Sequence, residues 1–334
     1  GRLHVSDVHG LGAVELPCLV RVGGDLTFAP YVQQDTTTLV MDFPRLQRID
    51  GSLSMVRFDA VDDLTAFSSL ELVGLDVYFE DMDGLEDLTG LSSLERARGL
   101  YLMGNPALVA LDGVPSLRTL ELVSIGGNPV LSSTSGLSSL EGQLPGGLWI
   151  VGNDWLHGIE GLEGITEVEM LNLSGRYLES LAGVSGLERV GAEGIYVAGP
   201  RLESLHGLHR IRSSAGVLWL HDTGVRHLDD LQALGSLDGA LHLQGNEQLE
   251  DLRGLRGLSA PPHGLGIWEC PALQSLDGLE AVAGAMDGGL DLTLNPSLVD
   301  LTALDGLKST TGLQVEENDA LEDLGGLGGL SRVD

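Results

Sequence analysis

Leu100-Tyr-Leu102-Met-Gly-Asn105-Pro106-Ala-Leu108-Val-Ala-Leu111-Asp-Gly113 carries two periods within one short stretch. Its first three residues alternate, apolar then outward then apolar, as in a short strand with two side chains in a core. An Asn-Pro turn follows. Beyond it leucine recurs at every third position, a spacing that fits tight 3₁₀-like turns better than the 3.6 period of an α-helix. The same wording returns at Leu290-Asp-Leu292-x-x-Asn295-Pro296-x-Leu298-x-x-Leu301 and at Leu313-Gln-Val315-x-x-Asn318-x-x-Leu321-x-x-Leu324.

Working outward from these copies, repeats start at Leu3, Leu26, Leu53, Val77, Leu100, Val123, Leu148, Leu171, Ile195, Leu218, Leu241, Leu265, Leu290 and Leu313, with spacings of 23 to 27 residues. A period in this range means stacked units, none of which can bury its apolar side alone. About 14 turns and a single elongated repeat domain over 1–334 are expected. Glycine returns the chain to the next strand at Gly99, Gly147, Gly194, Gly264, Gly289 and Gly312.

These residues resemble a leucine-rich repeat, and more closely the receptor L domain-like repeat of growth-factor receptor ectodomains and many secreted bacterial proteins. Three residues before the strand, where a standard leucine-rich repeat has an apolar residue, this chain offers Asp50, Ala97, Pro145, Ala215, Asp238, Pro262, Asp287 and Thr310. Val22-Gly-Gly-Asp-Leu26-Thr-Phe28 matches the apolar-Gly-Gly-x-Leu-x-apolar wording of the L domain. The resemblance covers essentially the whole chain. It implies a right-handed parallel β-solenoid with one short strand per turn, an extracellular or cell-surface setting, and no shared catalytic site. The receptor family's cysteines are missing.

Composition narrows the partners. Asp and Glu number 49 against 18 Lys and Arg, a formal net charge of −31, and Lys308 is the only lysine. Such a surface repels phosphate backbones and anionic headgroups, which disfavours nucleic acid and membrane-surface partners. No apolar run approaches the roughly 20 residues a membrane helix needs, so membrane insertion is not expected. The weight of Arg, Gly, Leu and Asp suggests a high-GC bacterial genome. Cys18 and Cys270 fall in the first and twelfth repeats, roughly 50 Å apart at strand spacing and beyond disulfide reach. Two isolated thiols, buried or partly buried, are expected.

The outward residue between each pair of strand leucines forms a single column, which reads His4, Thr27, Ser54, Tyr78, Tyr101, Ser124, Trp149, Asn172, Tyr196, Trp219, His242, Gly266, Asp291 and Gln314. Five of the 14 are Tyr or Trp although aromatics make up only 4% of the chain, so the column is enriched. Two readings stand side by side: rings that shield the outer face of the sheet, or a recognition stripe for a protein or glycan ligand. In the second reading the ligand-binding residues are Tyr78, Tyr101, Trp149, Asn172, Tyr196, Trp219 and His242.

A second column, just after the turn, is acidic: Asp62 and Asp63, Glu86 and Asp87, Glu179, Glu203, Asp229 and Asp230, Glu250 and Asp251, Asp300, Glu322 and Asp323. It is either a solvated edge offset by water, counterions and arginine, or a calcium ladder. The glycine-aspartate nonapeptide and the EF-hand loop are both absent from the sequence, and no metal site is assigned. Glu203-x-x-His206-x-x-His209 reads as a surface pair rather than metal ligands. No nucleophile elbow, Walker loop, zinc-type cysteine pair or dinucleotide fingerprint occurs. No enzyme activity and no cofactor are therefore expected.

The chain starts at a strand and stops just before another would begin. Capping units are absent from its wording, which suggests either a trimmed fragment or molecules stacking head to tail. Leu3, Val5, Leu327 and Leu330 would make that end contact, and a filament or surface layer would be its product. Gln33-Gln34-Asp35-Thr36-Thr37-Thr38 is a polar insertion and a secondary contact candidate. The sequence thus supports a non-catalytic extracellular recognition or adhesion scaffold, with a self-associating structural subunit as the alternative.

Overall fold

The computed structural model describes residues 1–6, 13–28, 39–58 and 63–334. The insertion at Gln33–Thr38 and the acidic residue Asp62 lie outside the described residues. The chain divides into two compact units, Gly1–Ile165 and Thr166–Asp334, and each is a parallel β-solenoid.

In the first unit the main strands are Leu3–Val5, Leu26–Phe28, Leu53–Val56, Asp76–Glu80, Gly99–Met103, Leu122–Gly126 and Gly147–Val151. Their parallel register aligns Leu3, Leu26, Leu53, Val77, Leu100, Val123 and Leu148 in turn. In the second unit the strands Ile165–Ser174, Arg189–Gly199, Leu218–Thr223, Leu241–Gln244, Leu265–Trp268, Leu290–Thr293 and Leu313–Glu316 align Leu171, Ile195, Leu218, Leu241, Leu265, Leu290 and Leu313. The repeat starts read from the sequence are therefore the hydrogen-bonded partners. Alternation forces this outcome, because a slip of one residue would turn every strand leucine to solvent.

The three-residue leucine spacing forms 3₁₀ turns, among them Thr89–Leu91, Asp229–Leu231 and Arg253–Leu255. Leu249, Leu252, Leu255 and Leu258 are all buried, each contributing about 1.5–3 kcal/mol of burial free energy. Gly254 sits where an added Cβ would run into the backbone of Leu228 on the preceding coil. Glycine there sets how closely consecutive coils approach.

The asparagine of the Asn-Pro turn does more than turn the chain. Asn105, Asn128 and Asn153 are buried, and each side-chain oxygen accepts the backbone N–H one coil earlier: Met82 to Asn105, Asn105 to Asn128, Asn128 to Asn153, all at 3.0 Å. Their amide groups donate to Phe79, Leu102 and Ile125 carbonyls. Asn246, Asn295 and Asn318 do the same in the second unit, accepting from Thr223, Cys270 and Asn295. The residue before each ladder position takes positive φ, as at Gly104, Gly127, Gly245, Asp222 and Glu269, which swings the chain off the strand.

A shorter parallel ladder precedes the main strands, which the repeat wording had not separated from the joint. Arg21–Val22, Arg48–Ile49 and Leu72–Val73 form it in the first unit. Ser213–Ser214 with Ser236–Leu237, and Gly284–Ala285 with Leu307–Thr310 and Arg332–Val333, form it in the second.

Candidate functional site

Because the register holds, the outward residue of each strand stands directly beside its counterpart on the next coil. In the first unit Tyr78 pairs in register with Tyr101, and their ring centroids are 5.6 Å apart. The Tyr78 hydroxyl donates to Glu80 Oε2 at 2.8 Å, and this bond to a carboxylate, with burial, pushes the phenol up to about 12. Burial raises the Tyr101 phenol as well. Ser124 follows Tyr101 and precedes Trp149 in register, so the aromatic run is interrupted there. All four of these side chains are half-buried.

In the second unit the run is longer. Asn172, Tyr196, Trp219 and His242 are register partners, all half-buried. The Tyr196 and Trp219 centroids are 5.9 Å apart, and Trp219 meets His242 edge-on at 5.7 Å. Burial holds the His242 imidazole below its ordinary range, so it is neutral at pH 7. Trp219 Nε1 is buried without a hydrogen-bond partner, an unusual state for an indole N–H.

At the next coil the column offers Gly266, which reads as a gap in the sequence. Trp268 closes it. Its six-membered ring occupies the space where a side chain on Gly266 would lie, and its centroid is 5.1 Å from His242, edge-on. Trp268 was not among the expected site residues. Its only sequence signal is its place two residues after an outward glycine, on the same face of the strand. Asp291 and Gln314 continue the column, with Asp291 Oδ1 accepting the Thr293 hydroxyl at 2.6 Å. Beside them runs a groove of about 660 Å³ whose lining includes His242, Trp268, Asp291 and Gln314. A second side chain that escaped the strand reading is Trp155, 63% exposed in the turn after Asn153.

The acidic column has a local structural task. Asp63, Asp87, Asp251, Asp300 and Asp323 each accept the backbone N–H two residues on, where the 3₁₀ turn opens. Ser133 and Ser180 hold the same place in other coils. These are side-chain turns of the kind Asp and Ser favour. Arginines from neighbouring coils pair with several carboxylates of the edge, Arg201 with Glu179 and Arg226 with Glu250. Among the described residues no group of three His, Cys, Asp or Glu is placed to hold a metal ion. His206 and His209 stack with centroids 4.6 Å apart and planes at 3°, and His206 faces Asp230 at 3.7 Å.

Of the expected end-contact residues, Leu3 and Val5 are half-buried in the first strand, Leu327 is buried and Leu330 is half-buried. The two cysteines differ. Cys270 is buried, with its thiol pushed up to about 11 by desolvation, whereas Cys18 is exposed, contrary to the expectation of two sheltered thiols. Cys18 falls in a turn outside the repeated leucine pattern, so no core position holds it.

No family model and no curated protein matches the chain. Among solved structures, an internalin from Listeria monocytogenes str. 4b F2365 aligns over 93% of this chain and 85% of its own, with 13% identity and a TM-score of 0.46.

Proposed function

We propose that this protein is a non-catalytic recognition scaffold that binds a protein partner along the aromatic strand faces, and that it works outside the cell or on its surface. The observation that carries the reading is the in-register run Tyr196, Trp219 and His242, continued by the Trp268 ring lying over Gly266, with neighbouring centroids 5.1–5.9 Å apart on a fixed backbone. Such a surface offers wide, half-exposed aromatic area at little conformational cost, which is the composition of binding hot spots. Shielding the sheet would be served equally by Val or Thr. The extracellular setting draws on the resemblance of the repeat to secreted and receptor repeats. Among the described residues no helix is long and apolar enough to cross a membrane.

The test is a binding screen of the purified chain against arrayed ectodomains and arrayed glycans, repeated with Tyr101→Ala, Trp149→Ala and Trp219→Ala. A protein ligand that loses at least about tenfold in affinity, roughly 1.4 kcal/mol, on each change, with circular dichroism unaltered, supports the reading. Ligands insensitive to all three changes would sink it, and sensitive ligands found only among glycans would replace the protein partner with a sugar.

A further inference from the structure

Leu171, Ile195, Leu218, Leu241, Leu265, Leu290 and Leu313 are aligned in register in the second unit, and the residues one position before them are Met170, Gly194, Val217, Ala240, Gly264, Gly289 and Gly312. Gly194 has φ of +86°, so its backbone calls for glycine. Gly289 and Gly312 have no such need. Neither has a left-handed φ, and a Cβ at Gly289 would meet nothing nearer than the Gly312 carbonyl oxygen at 3.7 Å, while one at Gly312 would meet nothing within 4 Å. Side chains are missing where the fold has room for them, and their absence keeps the groove of about 660 Å³ open, within the size range of ligand sites.

The walls of that groove have a definite chemistry. Trp268 supplies an indole, Asp291 a carboxylate oriented by the Thr293 hydroxyl, and Gln314 an exposed amide. Neither arginine nor lysine lines it. The whole chain carries a formal charge of −31, which draws basic partners and repels acidic ones. A guanidinium group suits these walls well: it is planar, it stacks on an indole face, and it forks two N–H groups onto one carboxylate.

We infer that this groove receives an arginine side chain from an extended basic segment of the protein partner, stacked on Trp268 and paired with Asp291. The inference rests on the strand-face reading above and adds the chemistry of the partner.

The experiment is calorimetric titration of the full chain, at about 0.15 M salt so that diffuse attraction is screened, with the synthetic peptide Gly-Arg-Gly-Arg-Gly, its citrulline counterpart and chitotriose. The arginine peptide is expected to bind and to shift tryptophan emission, and citrulline to abolish both effects. Gly312→Val, which fills the groove, and Asp291→Asn, which leaves its shape, should each weaken binding at least about tenfold. Glu247→Gln, an exposed carboxylate outside the groove, should leave it unchanged. Absence of binding, equal sensitivity to Glu247→Gln, or chitotriose in place of the peptide would each overturn the inference. If the arginine peptide fails while Tyr101→Ala and Trp149→Ala still abolish binding of an ectodomain, only the groove assignment falls. If the peptide binds and those variants change no ligand, the strand-face reading falls instead.

Discussion

Trp268 lies over Gly266, two residues earlier in its own strand, and its ring stands edge-on to His242 at a centroid distance of 5.1 Å. The aromatic column of the second unit therefore passes through a position that has no side chain of its own. Gly266 has no left-handed φ, so alanine is acceptable to the backbone there. It is not acceptable to the indole. Gly266→Ala should displace Trp268 from His242, change near-ultraviolet circular dichroism and tryptophan emission, and cost about 1–3 kcal/mol by overpacking. An unchanged emission spectrum would mean that the indole does not rest on Gly266 in solution.

His242 should make stability depend on pH in a defined direction. Burial lowers its pKa in the folded chain, so the unfolded chain binds more protons between that lowered value and the ordinary imidazole value of about 6.5. Stability contributed by neutral His242 is present above about pH 6.5 and is lost as pH falls toward the folded value. His242→Gln should flatten this part of the curve relative to the parent chain. The measurement is the difference in urea midpoint between the two chains from pH 7.5 to 5, and a parallel pair of curves would contradict the assignment.

Asn128→Ala should be among the more damaging single changes in the first unit. The side chain accepts the Asn105 N–H at 3.0 Å and donates to the Leu102 carbonyl at 3.0 Å, with both groups buried. Alanine leaves a donor and an acceptor without partners, at about 1–3 kcal/mol each. Chemical denaturation should show a loss of about 3 kcal/mol, and amide exchange at Asn105 should accelerate. Nearly all of this was invisible in the sequence, where Asn105-Pro106 reads simply as a turn. The motif fixes that the chain bends there, whereas the stacking of coils puts the side chain within reach of its neighbours' backbone.

The two thiols should separate cleanly. Cys18 is exposed and should react with a disulfide reagent in the native protein. Cys270, buried and pushed up to about 11, should react only on unfolding. Cys270 also fills a ladder position, donating its backbone N–H to Asn295 Oδ1 at 3.1 Å while its sulfur lies 3.8 Å from the Leu243 carbonyl. Cys270→Asn restores the amide present in other coils and should raise stability by about 1 kcal/mol, read as a higher urea midpoint.

The sequence by itself determined the parallel solenoid, the strand register and the 3₁₀ turns. Each follows from spacing along the chain: two inward leucines per strand, every third residue after the turn, and a period of 23 to 27 residues. The outward column was legible for the same reason, since alternation decides which residue faces away. Tertiary structure decided the rest. Residues some 23 to 25 positions apart come to lie about 5 Å from one another, and what meets there depends on rotamers and on missing side chains, which no local pattern encodes. Trp268 filling the slot of Gly266, the asparagines turned into the core, the aspartates spent on 3₁₀ turns, and the groove left open at Gly289 and Gly312 all arise at that level.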